Sequence, residues 1–142
     1  MSTLDSAARR QILATTEAFA GVGPEQQRVI AEMMRVEEFA KGEVVFERGE
    51  PADCILVVAA GQLAVYVPDS DGPVEILGPG SLLGEYGLFA GFVRIATVRA
   101  VTDTRVLTLD YERFRAFLFQ VPEAMFTLFP VAVGRLTAAN AR

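Results

Sequence analysis

The spacing of apolar residues changes character twice along this chain. Residues 4–14 are rich in Ala, Arg, Gln and Leu, a composition that favours a helix. Gly21-Val22-Gly23 interrupts it, and Pro24 opens a second helix at a position that tolerates proline. Val29, Ile30, Met33 and Met34 fall on one face of that helix. From Val36 to Asp110 the helical period gives way to short β-branched and apolar runs, punctuated by Gly, Pro and Asp. The pattern predicts strands at 36–39, 43–47, 54–60, 62–67, 73–77, 95–101 and 105–109. Leu63, Val65 and Val67 share one face of their strand, and Pro68-Asp69-Ser70-Asp71-Gly72 forms a hairpin loop.

After Asp110 the helical period returns. Phe114, Phe117 and Leu118 make an apolar stripe, and Pro122 starts a last helix with Met125, Phe129, Ala132, Val133 and Leu136 on one side. Nearly every side chain from Ala124 to Val133 is apolar, which calls for a second buried face, and Pro130 kinks or ends the helix there. Helices, a roll of short strands, then helices again: the expected class is α+β, with a sandwich or barrel at its centre. No linker, repeat or low-complexity tract divides the chain. It reads as one domain over 1–142, with N-terminal helices 4–34, a β-roll 36–110 and C-terminal helices 111–140.

Composition narrows the function. The chain has 142 residues, suited to one sizeable core, and 51% of them are hydrophobic, so disorder is not expected. With 13 basic against 18 acidic residues the net charge is −5, a poor balance for nucleic-acid binding. No apolar run approaches the ~18 residues of a membrane span, and no secretory h-region follows Met1. The cytoplasm is the expected compartment. The single cysteine, Cys54, sits in an apolar strand pattern and reads as a buried structural thiol. There is no histidine, hence no His base or His metal ligand, and no Gly-rich loop with Lys-Ser/Thr. Glu37-Glu38 are strand neighbours that point to opposite faces. A non-enzymatic role without metal is the expectation.

One stretch carries candidate chemistry. Gly84-Glu85-Tyr86-Gly87-Leu88 is followed by Arg94-Ile95-Ala96-Thr97-Val98, with Glu85 and Arg94 nine positions apart. Glu85 can accept hydrogen bonds from sugar hydroxyls. Arg94 can grip a phosphate with two parallel bonds. Gly84 and Gly87 let backbone come close to a ligand. The layout suits a small, phosphorylated, sugar-containing molecule held against an apolar wall.

Residues 83–98 resemble the phosphate-binding cassette of the cyclic-nucleotide-binding domain family, which includes the catabolite activator protein, protein kinase A regulatory subunits and cyclic-nucleotide-gated channels. Leu83-Gly84-Glu85-Tyr86-Gly87-Leu88 and Arg94-Ile95-Ala96-Thr97-Val98 match the two halves of the cassette at the kinase-type spacing. Gly42, Gly49, Gly61 and Gly78-Pro79-Gly80 match family turns, so the resemblance runs over roughly residues 17–140. It implies a jelly-roll-like antiparallel β-barrel (a double-stranded β-helix) with helices at both ends and the ligand inside the roll. It implies that Arg94 pairs with the exocyclic oxygens of a cyclic phosphate and Glu85 with the ribose 2′-hydroxyl. The N–H groups of Gly87 and Ile95 match the family's phosphate donors. The residues after Glu85 form one helical turn aimed at the phosphate. Leu88, Ala96 and Thr97 complete the candidate site, although Thr97 reads first as a plain strand residue and only second as a ligand contact, and Tyr86 and Phe92 read first as packing residues.

Three departures from the family pattern shape the expectation. Phe92-Val93 stands where many members have a polar residue and proline, which changes the bulge of the loop before Arg94. Ile95 replaces the threonine that often contacts guanine, which points to cyclic AMP rather than cyclic GMP. Pro130 lies inside the expected lid helix, leaving Phe126, Phe129 and Val133 as candidates to cap the base. The leading expectation is a stand-alone cyclic AMP sensor whose C-terminal helices move, with those helices as a homodimer or partner surface. The alternative is a scaffold or dimerisation module on the same fold that no longer binds nucleotide, or a regulatory piece of a channel or transcription factor.

Overall fold

Asp5 starts the first helix by accepting a hydrogen bond from the Ala8 N–H at 2.8 Å, which satisfies one of the donors a helix leaves open. The computed structural model describes residues 4–89 and 91–124. Helix α1 spans Ser6–Thr15, the short α2 Glu17–Ala20 and α3 Pro24–Met33. Arg9 locks this group together. Its guanidinium donates to the carbonyls of Leu4 at 2.9 Å and Met34 at 2.7 Å, the second at the C-terminal end of α3 where a cation suits the helix dipole. Gln27 does the same from inside, its amide reaching the Phe19 and Val22 carbonyls at 2.9 and 3.1 Å. This explains why α3 buries Gln27, Ile30 and Ala31 while Val29, expected on the packed face, is left exposed.

Eight strands follow among the described residues: β1 Arg35–Phe39, β2 Val44–Phe46, β3 Cys54–Ala60, β4 Leu63–Tyr66, β5 Glu75–Leu77, β6 Leu82–Leu83, β7 Thr97–Ala100 and β8 Thr104–Asp110. They form two four-stranded sheets, ordered β1-β8-β3-β6 and β2-β7-β4-β5, with every pairing antiparallel. The strands are those the apolar pattern predicts to within a residue or so at each end, except that β6 was not expected and that β5 and β7 begin at Glu75 and Thr97 rather than at residues 73 and 95. Gly80, which turns into β6, places its N–H on the Val58 carbonyl at 2.8 Å, so two residues suffice to extend the sheet.

Strand β3 shows why a continuous apolar run fits here. Ile55 and Val57 join a core between the first sheet and the helices, with Leu107 and Leu109 of β8. Leu56 and Val58 point the other way, into a core between the two sheets, with Val106, Leu63, Leu77, Val98 and Ala100. A strand covered on both faces has no need of polar alternation. Helix α4 (Glu85–Phe89) follows β6, and α5 (Tyr111–Gln120) follows β8, ending in a 3-10 turn at Pro122–Ala124. Tyr111, Phe114 and Phe117 of α5 pack onto the helix-side core. The stretch expected as the last helix, with Met125, Phe126, Phe129, Pro130 and Val133, lies outside the described residues. Among the described residues no helix is long and apolar enough to cross a membrane.

Candidate functional site

The cassette leaves β6 through Gly84, whose φ of +89° is a conformation glycine adopts freely. A side chain there would meet the Arg94 Nη1 and the Cys54 carbonyl, each at 2.8 Å. The missing Cβ therefore admits the arginine of the other half of the cassette. A Cβ at Gly87 would meet the Tyr111 hydroxyl, and Ala52 Cβ at 2.9 Å. Both glycines were expected to let a ligand approach; here they let the protein's own groups close in.

Helix α4 begins at Glu85, as expected, and holds Tyr86, Gly87 and Leu88. The first N–H groups of any helix lack partners within it, and in α4 these belong to the cassette itself. Glu85 is fully buried, and Leu88 packs against the helix-side core. The chain then turns through Phe92, whose φ of +62° is unusual for a bulky residue. The Phe92 N–H binds the Gly87 carbonyl at 2.8 Å, and the Phe92 carbonyl accepts from Ala52 at 2.7 Å. This left-handed turn is the physical form of the departure at Phe92-Val93.

A second segment pins the returning half. Pro51 bridges to Val93, Arg94 N–H binds the Glu50 carbonyl at 2.9 Å, and Gly49 N–H binds the Arg94 carbonyl at 2.8 Å. The Arg94 side chain turns inward and is only 7% exposed. Its Nη1 donates to the Cys54 carbonyl at 3.1 Å and its Nη2 to the Cys54 Sγ at 3.5 Å. The guanidinium also lies 4.1 Å from the centre of the Phe46 ring, a cation–π contact. Phe46 and Cys54 both pack against the core between the sheets, so the arginine points into the roll. Ile95 is half-buried and Ala96 buried beside it. Thr97 opens β7, and its hydroxyl accepts from the Arg48 N–H at 3.1 Å, which favours its strand reading.

Phe46 and Tyr111 were not singled out from the sequence as site residues, and Cys54 was read only as a buried structural thiol. Cys54 is half-buried rather than sealed in the core, because it starts β3 at the mouth of the cassette. Burial pushes its thiol pKa up, with the Arg94 guanidinium pulling the other way. Tyr111 opens α5, and its hydroxyl donates to the Gly84 carbonyl. Burial pushes this phenol up to about 12, opposed by Arg94 and reinforced by the Cys54 thiol and Glu85. The neutral phenol is then favoured in the folded state. An unfolded tyrosine ionises near pH ~10. Stability contributed by this group is complete below about pH 10 and is lost as pH rises towards about 12. Urea unfolding across this range is expected to show a falling midpoint that Tyr111→Phe flattens; identical alkaline curves for the two proteins would refute the assignment to Tyr111.

Comparison with known proteins adds a second line of observation. Residues 36–121 match the family described as the cyclic nucleotide-binding domain. A CRP-like cAMP-activated global transcriptional regulator of Mycobacterium tuberculosis is 27% identical over 133 residues, covering 92% of this chain and 59% of that protein. A cyclic nucleotide-gated potassium channel of Mesorhizobium japonicum is 33% identical over 129 residues, covering 91% of this chain and 35% of the channel. The crystal structure of the Thermus thermophilus catabolite activator protein superposes with a TM-score of 0.78 at 26% identity, over 89% of this chain and 61% of that one. The jelly-roll-like fold expected from the cassette is thus the fold observed. This chain spans less than two thirds of each of these relatives. The match over 36–121 takes in both sheets, the cassette and α5, and by it the chain belongs to the cyclic nucleotide-binding domain family.

Proposed function

We propose that this domain binds cyclic AMP and acts as a non-enzymatic sensor. The observation that carries the reading is the inward-pointing Arg94, 7% exposed, held at the mouth of β3 opposite the start of α4. A buried guanidinium is costly unless its charge is answered. It has five N–H donors, of which the Cys54 contacts use two, so a phosphate can be taken on the remaining edge. In this reading Arg94 meets the exocyclic phosphate oxygens, the N–H groups of Gly87 and Ile95 add donors, and Glu85 accepts from the ribose 2′-hydroxyl. Gly84, Tyr86, Leu88, Ala96 and Thr97 shape the pocket around them. The relative from M. tuberculosis is cAMP-activated by name, and Ile95 supplies no hydroxyl to a guanine, so cyclic AMP is preferred to cyclic GMP. That relative is also a transcriptional regulator; the acidic balance of this chain supports no direct nucleic-acid contact by this domain. We assign the output to α5 and the residues after it, which on this reading shift when the nucleotide binds and offer a surface to a second copy or a partner.

The test is calorimetry on protein stripped of bound nucleotide. Cyclic AMP is expected to bind at micromolar affinity or better and to raise the melting temperature by mass action. Cyclic GMP is expected to bind less tightly, and Ile95→Thr to narrow the gap. One observation favours a second reading: Glu85 is fully buried and Arg94 is already engaged by the protein. A cassette closed on itself would suit a scaffold that has given up nucleotide. No heat and no thermal shift at millimolar cyclic AMP and cyclic GMP would establish that alternative and end the sensor reading.

A further inference from the structure

One residue outside the cassette touches its first half and the turn that leads into its second. The Tyr111 hydroxyl donates to the carbonyl of Gly84, the residue before Glu85. The Tyr111 ring lies 5.9 Å from the Phe92 ring at a 50° tilt, two residues before Arg94. Its hydroxyl fills the space that a side chain at Gly87 would need. Its own N–H binds the Asp53 carbonyl at 2.8 Å, next to the cysteine that Arg94 grips. All four contacts belong to the first residue of α5.

Phe92 supplies an independent sign that this junction is under constraint. A bulky residue in the left-handed region persists only where its surroundings over-determine it. Here the Gly87 and Ala52 hydrogen bonds fix the Phe92 backbone, while α5 holds the ring from the other side. The Arg115 guanidinium lies 5.9 Å from the Phe92 ring centre, one helical turn beyond Tyr111 on the same face of α5. Yet Phe92 remains 46% exposed, so hydrophobic burial alone does not account for its pose.

We propose that Tyr111 is a positioning residue for the nucleotide site: from α5 it clamps the Glu85 and Arg94 halves of the cassette in register. Ligand affinity then depends on a hydroxyl that does not touch the ligand. The proposal rests on the cassette being the nucleotide site and adds how that site is held. Two anchors on a loop can grip ribose and phosphate together only if their separation is fixed, and a site whose supporting contacts are loose loses much of its affinity. Because the clamp belongs to α5, coupling is reciprocal: whatever the helix contributes to nucleotide affinity, the nucleotide returns as order in the helix.

The experiment compares cyclic AMP affinity of the parent, Tyr111→Phe, Phe92→Gly and the double variant, well below their melting temperatures. Tyr111→Phe keeps the ring and removes only the hydroxyl. It is expected to weaken binding ~3–10-fold, the scale of one hydrogen bond. Phe92→Gly keeps the left-handed backbone but removes the ring, and is expected to weaken binding by a similar factor. The double variant should lose less than the product of the two, since both act through one clamp. Hydrogen exchange provides the second measure: cyclic AMP is expected to protect α5 in the parent and less so in Tyr111→Phe. A hydroxyl with a merely structural role would lower the melting temperature and leave both affinity and α5 protection unchanged, which would overturn the clamp. A parent that takes up neither cyclic AMP nor cyclic GMP would overturn the site reading and the clamp with it. The two failures are told apart because only the second appears in the parent.

Discussion

Arg94→Ala is expected to weaken cyclic AMP binding by about 1.5–3 kcal/mol, roughly 10- to 150-fold, the scale of a hydrogen bond to a charged group. The substitution removes the one cation that the cassette points into the roll, together with its bonds to Cys54 and its contact with Phe46. Arg94→Lys is expected to lose affinity as well. An ammonium keeps the charge but not the planar fork, and it cannot grip the Cys54 carbonyl and a phosphate edge in one plane. Competition calorimetry gives both numbers. If Arg94→Ala bound as tightly as the parent, the phosphate would have to sit elsewhere and the cassette assignment would be wrong.

The legible part of this structure was the part set by periodicity and turn chemistry. The run Ile55-Leu56-Val57-Val58 announced a strand because both faces of β3 are covered, and Pro24 marked the start of α3 because its missing N–H costs nothing in a first turn. The spacing of Glu85 and Arg94 marked the candidate site, since both are set by local chain order. Short elements escaped. Leu82-Leu83 is too brief to show a period, and Glu17–Ala20 is a single turn. What sequence order does not encode is which distant residue fills a gap. Nothing near Cys54 or Tyr111 in the chain announces Arg94 or Gly84, because those meetings depend on β3, β8 and the cassette arriving at one end of the roll. Polar residues that bury by finding carbonyls, as Gln27 does, shift the buried face of a helix for the same reason, here enough to expose Val29 while Ile30 stays buried.

The second large effect is on stability. Phe114→Ala is expected to cost about 3–5 kcal/mol, the range for truncating a fully buried phenylalanine. Phe114 has no exposed surface and lies in a cluster of three rings. It meets Phe19 edge-on at 6.1 Å and stacks on Phe117 at 6.4 Å, while Phe19 and Phe117 meet at 6.1 Å. The cluster joins α2 to α5, so truncation to alanine leaves a cavity where these two elements meet. Domain stabilities are only about 5–15 kcal/mol, so this single ring accounts for much of the margin. Urea unfolding should show a large drop in midpoint with an unchanged slope. Phe119→Ala is the control: that side chain is 81% exposed and its loss is expected to change stability by less than ~0.5 kcal/mol. A cost below ~1 kcal/mol for Phe114→Ala would mean that α5 is seated by other contacts. The consequence reaches the site, because Phe114 lies one turn from Tyr111 on α5 and helps fix where that helix begins. A repacked cluster would tilt the hydroxyl away from Gly84, so Phe114→Leu, which largely fills the space, is expected to retain most of the stability while measurably lowering nucleotide affinity.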